Sequence, residues 1–466
     1  MENARRINGH TVAEILARCR RDGVEILGLG VANRPLLDIL PALGVTEITV
    51  RDRRQPTPAL TAKIRELGAR LQTGEEWLSG LSPTVLFRTP SLRPDVPPLN
   101  AARALGGIVL SEVALFLALC PAPIFTVTGS DGKTTTAMMT AAMLSATGRR
   151  VFLGGNIGTP LLAALPTIKP GDAAVLELSS FQLSDLAPPQ GRAAITNITE
   201  NHLDWHRDFA EYAAAKARIL GGGVAVLNAD SPSAAALAPL QESLLFSSTR
   251  APYGDTPFLF CEGGEVKLAG ERTESLFPTA AVGLPGRYHL ENAMAAAGLC
   301  LPDVTPDAIG AALSDFRGPR HRREFVGRFL GVDCYDSSID TTPSRTAVTL
   351  SSFGGRVVLL LGGRGKQRSL DPLVEAVGKY AAGVVATGEE GEAIAAAITA
   401  THPEIPVRFH RDFREAVEAA HRMARPVGTL LLSPACTSFD AFSDYAARGD
   451  AFRTICQSIP QGGKQE

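Results

Sequence analysis

The sequence predicts an α/β protein of three domains, and three observations carry that expectation. Short apolar runs rich in Val, Ile and Leu recur, each ending in a Gly- or Asn-containing turn and followed by an Ala-rich helical stretch, the alternation of parallel strands with crossover helices. A chain of 466 residues holds two to four domains at ~100–200 residues each. Three blocks of such alternation can be told apart, covering residues 1–118, 119–318 and 319–466.

The first block opens with a strand from Val24 to Leu29 that runs into Gly28-Leu29-Gly30-Val31-Ala32-Asn33, followed by a helix from about Pro35 and a second strand from Glu47 to Val50. That is one Rossmann-like mononucleotide unit, and Gly28-x-Gly30-x-x-Asn33 with Asp52 about 20 residues on is an incomplete dinucleotide fingerprint, which leaves an oxidoreductase open. The second block follows Cys120-Pro121-Ala122-Pro123. A strand from Ile124 to Val127 enters Thr128-Gly129-Ser130-Asp131-Gly132-Lys133-Thr134-Thr135, then a helical stretch from Ala137 to Ala146, with further strands at 174–178, 193–196 and 224–227. The third block, again Rossmann-like, follows Phe316-Arg317-Gly318-Pro319, with strands near 332–335, 357–361, 384–386 and 429–432.

The composition excludes several classes. With 46 Lys+Arg against 48 Asp+Glu and no polybasic run, neither duplex nucleic acid nor a membrane surface is expected as partner. Hydrophobic residues at 45% and charged residues at 20% exclude extended disorder as the main state. Seven scattered cysteines without a C-x-x-C pair indicate neither a disulfide framework nor a cysteine zinc site. No run approaches the ~18 apolar residues of a membrane span, and the start, MENARRINGH, lacks the apolar stretch of a signal peptide, so a cytoplasmic protein is expected.

The chemistry concentrates in the second block. A strand emptying into a Gly-rich turn with Lys and Thr at a helix start holds polyphosphate: glycines let backbone N–H groups approach the oxygens, Lys neutralises charge and the hydroxyl binds Mg²⁺. Gly129, Gly132, Lys133 and Thr134 supply these parts in a P-loop ATPase-like arrangement, although the loop is a G-x-x-G-K-T, shorter than the usual motif. Glu177 closes an apolar strand and faces the crevice where an open α/β sheet binds ligands. After the next strand, His202, Asp204 and His206 invite a zinc reading that lacks completing ligands, and His202 is favoured as one magnesium-site contributor. Lys216 shares a helix face with Phe209, Tyr212, Ala213 and Leu220. Two readings are open there: the amine snorkels to solvent, or it is buried, neutral and nucleophilic.

These residues resemble the Mur ligase family over essentially the whole chain. The resemblance rests on Thr-Gly-Ser-Asp-Gly-Lys-Thr-Thr at 128–135, Gly-Gly-Asn-Ile-Gly at 154–158, Leu-Glu-Leu-Ser-Ser-Phe-Gln-Leu at 176–183, Asn-His-Leu-Asp at 201–204, Leu-Gly-Gly at 361–363 and Leu-Ser-Pro-Ala-Cys-Thr-Ser-Phe-Asp at 432–440. The strings Glu-Leu-Ser-Ser-Phe-Gln-Leu at 177–183 and Ser-Pro-Ala-Cys at 433–436 are much more specific to the D-glutamate-adding branch. The resemblance implies ATP-dependent addition of D-glutamate to UDP-N-acetylmuramoyl-L-alanine through an acyl phosphate; a monomer that inserts in no membrane is expected. It places the phosphates on Gly129, Ser130, Asp131, Gly132, Lys133, Thr134 and Thr135, and two magnesium sites at Thr134, Glu177, His202 and Lys216, the lysine carbamylated by CO₂. Lys133, Glu177, His202 and Lys216 are thereby the expected catalytic residues.

The resemblance further implies nucleotide contacts from Asn292, Arg322 and Asp336, and muramoyl contacts from Asn156 and Ser179. It places the uridine diphosphate near Val31, Ala32, Asp52, Arg53 and the Thr89-Pro90-Ser91 turn, and the incoming glutamate on Lys366 and Ser438 with Thr341 and Tyr445 nearby. Departures stand beside it. The usual His-Asn-x-x-Asn reads Tyr288-His289-x-x-Asn292, Arg364 stands where an acid is frequent, and Asp336-Ser337-Ser338 with Asp340 leaves open which carboxylate meets the ribose. L-glutamate as acceptor, a folylpolyglutamate-type ligase and a non-catalytic P-loop nucleotide sensor remain the alternatives.

Overall fold

The computed structural model describes residues 6–7, 9–238, 242–284, 286–353, 355–365 and 369–459. Its strands are β1 (Arg6–Ile7), β2 (His10–Thr11), β3 (Val24–Leu27), β4 (Ile48–Asp52), β5 (Arg70–Thr73), β6 (Val85–Arg88), β7 (Ile108–Leu110), β8 (Ile124–Thr128), β9 (Val151–Gly155), β10 (Ala173–Glu177), β11 (Arg192–Ile195), β12 (Ala225–Asn228), β13 (Ser243–Ser247), β14 (Phe258–Glu262), β15 (Glu265–Ala269), β16 (Thr273–Pro278), β17 (Glu324–Phe329), β18 (Val332–Asp336), β19 (Val357–Gly362), β20 (Ala381–Thr387), β21 (Val407–Phe409) and β22 (Thr429–Leu432). Three sheets carry the fold, as the alternating pattern predicts. One is five-stranded in the order β5-β4-β3-β6-β7, one nine-stranded in the order β16-β15-β14-β13-β12-β11-β8-β10-β9, and one six-stranded in the order β17-β18-β22-β19-β20-β21. The first is parallel throughout. The others turn antiparallel only at β14-β15-β16 and β17-β18.

The chain divides into two compact units, Met1–Phe316 and Arg317–Glu466. Within the first unit the five- and nine-stranded sheets lie on either side of the expected 118/119 boundary. One apolar cluster joins them, running from Ile26 and Phe87 through Phe116 to Leu176 and Ile195. A buried ion pair reinforces the junction. Arg88, fully buried at the end of β6, donates through Nε to Asp185 Oδ2 at 2.8 Å, and its Nη2 reaches the Phe181 carbonyl at 3.0 Å and Ser184 Oγ at 2.9 Å.

Several element boundaries differ from expectation, each for a local reason. The first Rossmann strand stops at Leu27 because Gly28 adopts φ +85°, and a Cβ there would crowd the Thr89 side chain. The helix expected from Ala137 begins at Lys133, directly after Gly132 in the left-handed region. Three consecutive threonines are poor helix formers, but Thr135 and Thr136 are buried and packing overrides propensity. The hairpins of β14, β15 and β16 carry mixed polar and apolar residues and had no clear period to read.

Removing one partner of the Arg88–Asp185 pair leaves a buried charge uncompensated. Asp185→Ala is therefore expected to cost about 3–5 kcal/mol, read from urea unfolding of the intact chain. An Arg88→Met/Asp185→Leu double variant should recover most of it; equal losses in both would show that packing, not charge, holds the junction.

Candidate active site

The centre of the site is the turn between β8 and the helix Lys133–Ser145. β8 lies between β10 and β11, so its carboxyl end faces the ends of both neighbours. Gly129 and Gly132 both take positive φ, +154° and +80°; a Cβ on the first would overlap Thr196 Oγ1 and on the second Asn292 Oδ1. The loop is pinned from β11. Ser130 N donates to the Asn197 carbonyl and Asp131 N to Asn197 Oδ1, each at 2.9 Å, and Asn228 Nδ2 holds the Thr196 carbonyl at 2.8 Å. Sequence reasoning passed over Asn197, although an Asn just past a strand end is a usual loop clamp.

Glu177, 2% exposed at the end of β10, takes a hydrogen bond on each oxygen: Thr134 Oγ1 at 2.7 Å and Asn156 Nδ2 at 2.9 Å. Asn156 N also donates to the Glu177 carbonyl at 2.7 Å. The expected phosphate-loop, carboxylate and substrate-side residues thus converge.

Lys216 resolves the choice left open by its helical position. It is 2% exposed on the helix Phe209–Ala217, its Nζ donates to the Gly129 carbonyl at 2.6 Å, and the Tyr212 ring lies 4.7 Å away. Burial, with the Lys133 charge adding to it, pushes its pKa from 10.5 down to about 6 against the pull of Glu177 and Asp131. Tyr212, also unread in the sequence, carries its hydroxyl to Ser130 Oγ at 2.8 Å. Lys133 Nζ sits on the Gly129 and Ser130 carbonyls at 2.9 and 2.8 Å.

His202 is exposed on the loop after β11, with φ +55° and its ring 4.9 Å from Phe181. His206 points elsewhere: it is buried, with Nε2 2.9 Å from Ser180 Oγ, and burial lowers its pKa. Among the described residues, His202, Asp204 and His206 do not form a converging ligand group, so the zinc reading falls. Ser179 caps the short helix Ser180–Leu183 by accepting from Gln182 N at 3.3 Å. A pocket beside the loop is lined by Asp131, Thr196, Asn197, Phe246, Tyr288 and Asn292, so Asn292 and Tyr288 both stand next to the glycine-rich turn.

On the five-stranded sheet, Asp52 accepts from Leu29 N at 2.7 Å and Arg54 N at 2.9 Å, shaping the turn on which Val31 is exposed and Ala32 half-buried. Arg53 pairs with Glu75 at the surface.

In the second unit Asp336 is fully buried at the end of β18, held by His321 Nδ1 at 2.7 Å and Ser338 N at 2.8 Å. Asp340 is buried too, accepts from Ser433 Oγ at 2.8 Å, and burial raises its pKa. Arg322 and Tyr445 are exposed, Thr341 half-buried and Ser438 buried; Lys366 lies outside the described residues. Arg448, another residue the sequence did not single out, is buried and donates to Ser338 Oγ, the Ser338 carbonyl and the Cys436 carbonyl at 3.0, 3.0 and 3.1 Å, tying the loops after β18 and β22.

Comparison with known proteins agrees with this geometry. Residues 127–300 match the Mur ligase middle domain and residues 321–436 the Mur ligase glutamate ligase domain. A protein of Clostridium botulinum (strain 657 / Type Ba4) named UDP-N-acetylmuramoylalanine–D-glutamate ligase is 34% identical over 94% of this chain and 96% of its own. The chain belongs to the Mur ligase family. A protein of the same name from Acetivibrio thermocellus is equally similar over the same shares. Among solved structures, the UDP-N-acetylmuramate–alanine ligase MurC of Thermotoga maritima shares the fold at 18% identity and a TM-score of 0.52, over 93% of this chain and 99% of that one. MurF of Acinetobacter baumannii shares it at 16% identity and a TM-score of 0.53, over 93% and 90%. The Mur ligase middle domain thus carries the loop, Glu177 and Lys216 together.

Between about pH 6 and 10.5 the unfolded chain holds a proton on Lys216 that the folded chain has lost. Stability conferred through this position therefore rises with pH across that window. In CO₂- and magnesium-free buffer, Lys216→Met should flatten the rise in urea midpoint; equal slopes in both proteins would show that the amine stays charged when buried. Gly132→Ala should lose ATP binding at least about tenfold by calorimetry, since strain and the clash with Asn292 both deform the loop.

Proposed function

We propose that this Mur ligase joins D-glutamate to UDP-N-acetylmuramoyl-L-alanine with cleavage of ATP to ADP and phosphate, in the cytoplasmic synthesis of peptidoglycan precursor, and acts as a monomer. The observation that carries the reading is the convergence of Thr134, Glu177 and Lys216 on the β8 loop, in a chain whose relatives across almost its full length bear that name. Residues 1–118 are read as the uridine-diphosphate-binding domain, 119–318 as the ATP-binding domain and 319–466 as the glutamate-binding domain.

The residues fit the cofactors. Thr134 Oγ1 and Glu177 Oε2 are hard oxygen donors 2.7 Å apart at a phosphate-binding loop, suited to Mg²⁺ with ATP, and His202 stands on the neighbouring loop. Bound magnesium would neutralise phosphate charge. A neutral Lys216 amine can attack CO₂, forming an N–C bond and releasing a proton, which turns a would-be cation into an anionic oxygen donor for a second metal site.

The substrate carboxylate is a poor electrophile until phosphorylated. Its oxygen takes the γ-phosphoryl group, ADP leaves, the glutamate amine attacks the resulting acyl phosphate through a tetrahedral intermediate, and phosphate departs as the amide forms. The chain's part is placement: Lys133 and the loop amides hold the phosphates, Asn156 and Ser179 the muramoyl part, and Asn292 and Arg322 the nucleotide. Asp336, its oxygens held by His321 and Ser338, is likewise read as a nucleotide contact, while Ser438, Thr341, Tyr445 and Lys366 are read as receiving the glutamate.

ADP and phosphate release with Mg-ATP, UDP-N-acetylmuramoyl-L-alanine and either glutamate enantiomer, with single-component omissions, tests the reading. Release should require all substrates and D-glutamate. Preference for L-glutamate would move the acceptor; silence with both would favour the folate ligase or the nucleotide sensor. Lys216→Ala should lose most activity, and bicarbonate should stimulate the wild type alone; full activity in that variant refutes the carbamate.

A further inference from the structure

Two arginines flank the Thr89-Pro90-Ser91 turn, Arg88 at the end of β6 and Arg93 in the loop beyond it, and both reach away from the five-stranded sheet. Arg88 docks on the Phe181–Asp185 segment, as described above. Arg93 docks on the loop and helix that follow β11. Its Nη1 donates to the Trp205 carbonyl, its Nη2 to Glu211 Oε1 at 2.8 Å, and its guanidinium carbon lies 4.9 Å from the Trp205 ring centroid. Trp205 answers through its indole N–H, which donates to the Ser91 carbonyl at 3.2 Å. The contact therefore closes on itself, from Ser91 through Arg93 and Trp205 back to Ser91.

What it joins gives it meaning. Trp205 N donates to the His202 carbonyl at 3.1 Å, so the indole anchors the turn that presents His202. Glu211 lies on the helix Phe209–Ala217 that carries Lys216, and its pairing with Arg93 fixes the first turn of that helix. Trp205 also packs on Phe181 at 4.7 Å, the residue whose carbonyl Arg88 holds. A solubilising surface arginine would give its donors to water. Arg93 instead gives them to three places, Asp95 on its own segment and Trp205 and Glu211 across the junction, in the planar geometry a guanidinium allows and an ammonium does not.

We propose that Arg93 is a positioning residue that couples the nucleotide-sugar side of the site to its ATP side. Through Trp205 and Glu211 it holds the 89–91 turn in register with His202 and with the Lys216 helix. This rests on the function proposed above, which reads residues 1–118, the 89–91 turn among them, as the uridine-diphosphate-binding domain.

The test uses full-length wild type, Arg93→Met, Arg93→Lys, Trp205→Phe and the Arg93→Met/Trp205→Phe double variant. The readout is the ratio of the Mg-ADP dissociation constants with and without saturating UDP-N-acetylmuramoyl-L-alanine, a coupling that fold stability alone does not move. The wild-type ratio should differ clearly from one. Arg93→Met should bring it to about one and lower kcat about tenfold, with the KM for D-glutamate unchanged, because misplacement acts on the reacting geometry. The double variant should add little to the single, since both residues serve one contact. Should Arg93→Met fail to fold, Arg93→Lys carries the same expectation, as it keeps charge and stem but loses the fork. A variant ratio equal to wild type, additive losses, or a wild-type ratio of one overturns the clamp. Wild-type turnover separates the two claims: none with any substrate set overturns the functional reading, whereas turnover with unaltered coupling in the variants overturns only the role of Arg93.

Discussion

Two lysine amines share the carbonyl of Gly129, Lys133 at 2.9 Å and Lys216 at 2.6 Å, and much of the site follows from that crowding. An ammonium taken out of water loses its hydration, and a second charge nearby adds repulsion; losing a proton from the more buried one relieves both. Lys216 is that one. Its position then dictates the rest: the helix bearing it must lie against the β8 loop, Tyr212 one turn earlier meets Ser130, and the segment leading in must pass beside Phe181. The loop after β8 is thus braced from behind by the helix that carries this buried amine.

Both units hold strand-end loops in the same way. Loops at the carboxyl ends of parallel strands carry backbone groups that no ladder can pair, and burial without a partner is costly. In the first unit Asn197 and Asn228 take up these groups around the phosphate loop. In the second, Arg448 reaches carbonyls on two loops, with burial lowering its pKa to about 10. Such supports fix the loop backbones while Arg322 and Tyr445 stay exposed on them.

The legibility of the chain varied with how local each cause was. The loop at 128–135 was readable because every requirement sits within eight consecutive residues: glycine for positive φ, lysine for charge, threonine for the hydroxyl. Glu177 was readable as an acid ending an apolar strand. Lys216 was half readable, since helical spacing named its face but not what would cover it. Asn197, Arg448 and Arg93 were not, because each acts on residues distant in the chain, and a polar residue near a strand end or on a helix looks the same whether it faces water or a buried carbonyl.

The sequence by itself determined the class of fold, the glycine-rich loop after β8 and the family, because periodicity and a contiguous motif are local properties of the chain. Tertiary structure alone decided that Lys216 is buried, that His206 turns away from His202, that Asp336 and Asp340 both face inward, and that the first two sheets share one core. Those outcomes depend on which strand lies beside which. The order that sets β8 between β10 and β11 is a matter of long-range pairing that no window of neighbouring residues encodes.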